Sequence, residues 1–173
     1  LKILAFNSPM FNAMFYGDFA EKNKKEIELN DVDRKEFIEL LHLIYPSNKS
    51  TYGTAHKAIF ILKLADQFQI MSVIERAERS LIDNRNLPIP EMVEIADQYN
   101  LYALKKHCFA KLTTTAAVKV IEKSPVYSGL SDKMKAAIMQ RKAKIESRND
   151  ENRKRKRENS ADSDSSVDNE FLN

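Results

Sequence analysis

Six residues are in effect written twice in this chain. Ala65-Asp66-Gln67-Phe68-Gln69-Ile70 returns 31 positions later as Ala96-Asp97-Gln98-Tyr99-Asn100-Leu101. Each copy ends one apolar-periodic segment and leads into another, so each predicts a turn between two helices. A helical solenoid needs at least three repeats, so two copies predict stacked helical hairpins within one domain. The segment before the first copy, Thr54–Phe68, carries Ile59, Phe60, Ile61, Leu62, Leu64 and Ala65. It is too apolar for a surface helix and belongs near the centre. Ser72 with Glu75 has the form of a capping box for the next helix, which bears Ile74, Ala77, Leu81 and Ile82. Asn84–Pro90 is a joint, restricted by Pro88 and Pro90, and Glu91–Leu112 forms the second hairpin. Three glycines and no tryptophan suit a mostly helical chain, and an apolar share of 43% is enough for a core.

Upstream, Ser8 to Glu21 reads as a short helix with punctuation at both ends. Ser8 is a good N-cap, and Pro9 suits the first helical position, where a missing N–H costs nothing. Phe11, Met14 and Phe15 recur at i, i+3 and i+4 and should be buried. Gly17 is expected to close the helix in the left-handed conformation. Phe19-Ala20-Glu21 then sets a large apolar residue and an acid on an exposed turn. Such a phenylalanine is either a satellite of the core or a docking anchor. Glu26-Ile27-Glu28-Leu29 alternates polar and apolar residues, the period of a half-buried strand. Asp33–Tyr45 is the clearest helix. Asp33 is its N-cap, Glu36 completes a capping box, and Val32 with Phe37 makes a hydrophobic staple. Phe37, Leu40, Leu41 and Ile44 form one stripe, and Pro46 ends it.

Several of these motifs fall in register with a known family. Leu4-Ala5-Phe6-Asn7-Ser8-Pro9-Met10-Phe11 and Met14-Phe15, then Ile27-Glu28-Leu29-Asn30-Asp31-Val32, Phe37, Leu40-Leu41, Ile44-Tyr45 and Leu64-Ala65-Asp66 resemble a BTB (POZ) domain over roughly residues 1–82. The likeness is strongest to the MATH–BTB group. It implies a mainly α class, the α+β BTB/POZ fold, with helical hairpins around a small β-sheet that is incomplete here. In the family a first helix and strands precede this point, and they carry much of a homodimer interface. With Leu1 in place of a start methionine, the chain is expected to be a fragment: dimeric in the full-length protein, poorly dimeric alone.

Composition divides the rest. Residues 1–83 are assigned to the BTB domain. Residues 84–146 form a helical extension, similar to the three-box or the start of a BACK domain that follows BTB in MATH–BTB proteins. Within it, Ala116–Ile121 and Asp132–Ile145 look like two short helices. Residues 147–173 are expected to be a disordered tail, because few apolar groups are left there to offset ordering entropy. The net charge of +3 hides a basic middle: residues 105–147 hold 10 basic and 3 acidic side chains. These lysines are spread along helices with no aromatic platform between them, so a solvated face is a better reading than nucleic-acid binding. Arg153-Lys154-Arg155-Lys156-Arg157 is denser and reads as a nuclear import signal or a nucleic-acid patch. The serine–aspartate run from Ser160 to Ser166 beside it reads as a kinase substrate whose phosphates would offset that charge.

No catalytic constellation or cofactor site emerges. His42, His56 and His107 are scattered, Cys108 is the single cysteine, and no second Cys/His pair completes a zinc site. A lone cysteine and no secretory signal point to a reducing interior, in nucleus or cytoplasm. No apolar run approaches the ~18 residues of a membrane span. The family resemblance therefore implies a non-catalytic adaptor for a cullin-3 ubiquitin ligase. It would bring protein substrates through a domain upstream of Leu1. Phe19 and Glu21 match the family's apolar–any–acidic triplet that meets cullin-3, and Phe68, Gln69 and Met71 are expected to flank that face. The alternative is a nuclear BTB scaffold or transcriptional regulator independent of ubiquitin.

Overall fold

The computed structural model describes residues 1–17, 26–45 and 55–164. Among them the chain is mainly α, with ten helices and no strand. It divides into two compact units, Leu1–His107 and Cys108–Asn173, so the first unit takes in residues assigned above to the extension.

In the first unit, α1 (Lys2–Asn7) and α2 (Pro9–Tyr16) pack on each other, and α1 also meets α3 (Arg34–Ile44). α4 (Ala55–Gln67) packs on α3 and most extensively on α5 (Met71–Asp83). α6 (Ile89–Gln98) and most of α7 (Tyr102–Lys111) complete the unit. The helix ends largely follow their signals. Asp33 accepts from the N–H groups of Lys35 and Glu36, and Ser8 accepts from Phe11. Ser72 lies inside α5, whose N-cap is Ile70 with no side-chain cap. There the preceding turn fixes the start, and the expected capping box does not form.

The duplicated hexapeptide is duplicated in geometry. Gln69 and Asn100 both adopt left-handed backbone, with φ of 54° and 52°. Ile70 donates its N–H to Ala65 and Gln69 to Asp66; Leu101 donates to Ala96 and Asn100 to Asp97. These bonds close the orphan carbonyls at the C-termini of α4 and α6. Two further tethers fix the hairpins. Arg76 on α5 donates to the Leu43 carbonyl at the end of α3, 3.0 Å. Glu78 on α5 accepts the Leu104 N–H in the first turn of α7, 2.8 Å, where a carboxylate also complements the helix dipole.

Two local expectations are corrected here. Glu26–Leu29 is not a strand: Ile27 and Leu29 are half-buried and Glu26 and Glu28 exposed, so the period of two is kept without ladder pairing. Ile27 and Leu29 instead line an apolar recess with Leu4, Phe11, Phe15 and Phe37. Gly17 ends α2 in extended backbone, φ −76°, not left-handed. Glycine is needed for close approach, because a Cβ there would overlap the Ala13 carbonyl oxygen, which accepts the Gly17 N–H.

In the second unit, α8 (Thr115–Glu122), capped by Thr114, packs on α9 (Val126–Gly129) and on α10 (Asp132–Asp164). Met134, Ile138 and Ile145 of α10 are buried, as are Val118, Ile121 and Leu130. Lys142 reaches both carboxylate oxygens of Glu122 at 2.9 and 3.0 Å, and this hydrogen bond above all holds its ammonium charged. Arg141 Nε donates to the Leu112 carbonyl, 2.9 Å. α10 then continues through residues 147–164, where the composition predicts a disordered tail. Nucleation explains the difference: residues 132–145 supply a packed first half, after which each added residue costs little. Arg, Lys and Glu propagate it well, and no glycine or proline interrupts residues 132–164.

Candidate functional site

The site begins with Ser8. Its side chain is fully buried, and the hydroxyl makes two bonds at once. It accepts from the Phe11 N–H at 3.0 Å, capping α2, and donates to the carbonyl oxygen of Phe68, 60 residues away. Helix α2 is thereby fastened to the turn between α4 and α5. Four aromatic rings reinforce the joint. Phe11 stacks on Phe68 with centroids 4.8 Å apart and on Phe15 at 5.5 Å. Phe37 of α3 meets Phe68 edge-on at 5.7 Å and Phe11 at 6.3 Å. Such pairs contribute about 0.5–1.5 kcal/mol each beyond their area.

This arrangement sorts the expected contact residues. Phe68 is only 1% exposed, so its ring belongs to the core and is not a direct contact. Its left-handed neighbour Gln69 is exposed, and Met71 at the start of α5 is 60% exposed. The turn thus holds one residue in and shows two out. Phe19 and Glu21 lie outside the described residues. Gly17, where α2 ends, is the last described residue before them. Two features were missed in the sequence. The donation from Ser8 to Phe68 spans too many residues for any local signal. Tyr16 is 53% exposed at the end of α2, and only its place on the helix face away from Phe11 and Phe15 hinted at that.

The basic cluster sits on α10, with Arg153 to Arg157 all exposed. Arg153 pairs with Asp150 at 3.7 Å. His107 has its Nε2 buried with no hydrogen-bond partner. Among the described residues no group of three His, Cys, Asp or Glu side chains is placed to hold a metal, and no helix is long and apolar enough to cross a membrane. Burial pushes the Cys108 thiol up to about 11, the opposite of what a nucleophile requires.

Residues 2–85 match the BTB/POZ domain family. The chain is similar to BTB and MATH domain-containing protein 38 of Caenorhabditis elegans, 37% identical over 142 residues, covering 82% of this chain and 36% of that protein. It is 33% identical to BTB and MATH domain-containing protein 36 of the same organism, covering 81% of this chain and 43% of that protein. Kelch-like protein 40 of Xenopus laevis is 42% identical over 71 residues, 41% of this chain and 11% of that protein. The chain therefore spans only about two-fifths of the MATH-domain relatives it matches. Through residues 2–85, this chain belongs to the BTB/POZ family.

Proposed function

We propose that the chain is a protein–protein interaction module that acts as a substrate adaptor of a cullin-3 ubiquitin ligase. Ubiquitin transfer would be done by the assembled ligase, leading recruited proteins to degradation. The observation that carries this reading is the bond from Ser8 to Phe68. It couples the helix that leads toward Phe19 and Glu21 to the turn that displays Gln69 and Met71. In this reading Phe19 fills an apolar groove of the partner as an aromatic anchor. Glu21 accepts a hydrogen bond at the rim and contributes more to orientation than to affinity.

Calorimetric titration against the N-terminal domain of cullin-3 tests this directly. Phe19→Ala is expected to lose at least about tenfold in affinity with an unchanged melting temperature. A lowered melting temperature with unchanged affinity would make Phe19 a core satellite. Normal binding by both Phe19→Ala and Glu21→Ala would end the claim on this triplet.

The exposure of Arg153–Arg157 supports a second reading, a nuclear scaffold or transcriptional regulator that works without ubiquitin. Neutralising all five in a fluorescent fusion should move it from nucleus to cytoplasm. An unchanged distribution would remove the import signal from the account.

A further inference from the structure

We infer that α10 carries a docking surface for double-stranded DNA, formed by Arg141, Lys144, Arg148, Asn149, Asn152 and Lys156. In the linear sequence these residues are scattered among acids. On the helix they fall at i, i+3, i+7, i+8, i+11 and i+15, which is one face. A shallow cleft runs along this face. Its first part is lined by Thr113, Arg141, Lys144, Arg148, Asn149 and Asn152, over the buried Ile145 where α10 packs. Its second part shares Asn149 and Asn152 and continues to Arg153 and Lys156. The cleft is therefore continuous from Arg141 to Lys156, about 22 Å at 1.5 Å per residue. None of its lining residues is acidic. Glu146, Asp150 and Glu151 lie outside the series, and Asp150 pairs with Arg153 at its edge.

The chemistry selects the ligand. The cations stand in a row, which suits a polyanion of regular charge and not a single phosphate. Arg141 is pre-positioned, because its Nε is held by the Leu112 carbonyl at one end of the cleft. Beyond Ile145, residues 146–157 are exposed on every side, so nothing described prevents this part of the helix from entering a groove. An α-helix of about 10–12 Å diameter fits the major groove of B-DNA, about 12 Å wide, while the RNA major groove is too narrow. Asn149 and Asn152 put amides, which both donate and accept, in the middle of the row, where base edges would lie. A membrane surface is a poorer fit: an interfacial helix needs an apolar face, and residues 146–157 contain no apolar side chain.

Fluorescence anisotropy with the full 173-residue chain and a labelled 16-base-pair duplex of mixed sequence, from 50 to 200 mM KCl, tests this. Four or five neutralised phosphates predict a log–log salt slope of about −4. Lys144→Gln/Arg148→Gln should weaken binding at least about tenfold and make the slope shallower by about 2. Lys154→Gln/Arg157→Gln removes the same charge off the row and should cost less than about threefold. Circular dichroism of both variants should show unchanged helix. Equal losses in the two variants would reduce the effect to net charge and overturn the row. So would a slope no steeper than about −1, or displacement of the duplex by polyaspartate at equal charge concentration. The cullin-3 titration does not involve α10, so either claim can fail alone.

Discussion

The turns at 65–70 and 96–101 share a backbone and differ in their company. Both close a helix with the same pair of bonds around a left-handed residue, Gln69 in one and Asn100 in the other. At the fourth position the first turn has Phe68, 1% exposed, its ring among three other phenylalanines and its carbonyl bonded to Ser8. The second has Tyr99, half-buried, its phenol pushed above its ordinary pKa by burial and then by the Asp66 carboxylate. A hydroxyl on the ring is compatible with the second place and not with the first, where a dry stack would strand it. Local sequence thus writes the turn twice, and long-range neighbours decide that only the first becomes a joint. The second hairpin is held from another direction, by Glu78 on the Leu104 N–H.

Changes at the matched positions should separate the two. Phe68→Ala should cost about 3–5 kcal/mol in urea unfolding, as a fully packed ring does, and Tyr99→Ala about half as much. Equal losses would mean that the aromatic cluster is no special joint. Ser8→Ala comes next, at about 1–3 kcal/mol, since it strands a buried carbonyl and removes a cap. Hydrogen exchange should then quicken in α2 and at residues 68–71 while the 96–101 turn stays protected. The smallest effect is in pH. Tyr99 has its folded pKa raised above 10.0, so the unfolded chain loses its proton first. Stability from this group is complete below pH 10.0 and falls as pH rises through the folded value. Tyr99→Phe should flatten that alkaline decline, whereas Phe68→Tyr should steepen it on a chain already destabilised at lower pH, because burial raises a phenol's pKa.

What the sequence disclosed was local. Asp33, Ser8 and the hexapeptide marked helix starts and turns through chemistry acting over a few residues. The alternation at 26–29 was real, but it recorded the apolar recess that Ile27 and Leu29 line and not a ladder. Composition misjudged 147–164, because propensity ignores the nucleus that residues 132–145 provide. Phe68 was misassigned as a contact, since exposure at a turn depends on what packs there, and Ser8 and Phe11 lie nearly 60 residues upstream. No local signal announced the bond from the Leu104 N–H of the second hairpin to Glu78, 26 residues upstream.

The central claim is that the first turn and not its twin belongs to the partner-binding face. Met71 and Tyr102 occupy the same place after the two turns, 60% and 78% exposed. Either can be changed to glutamate with little effect on folding. The decisive measurement is calorimetric titration of Met71→Glu and Tyr102→Glu against the N-terminal domain of cullin-3. The account predicts that Met71→Glu weakens binding at least about tenfold, by setting a charge in an apolar contact, and that Tyr102→Glu leaves it within about twofold. Unchanged binding by Met71→Glu, or a larger loss in Tyr102→Glu, would contradict it.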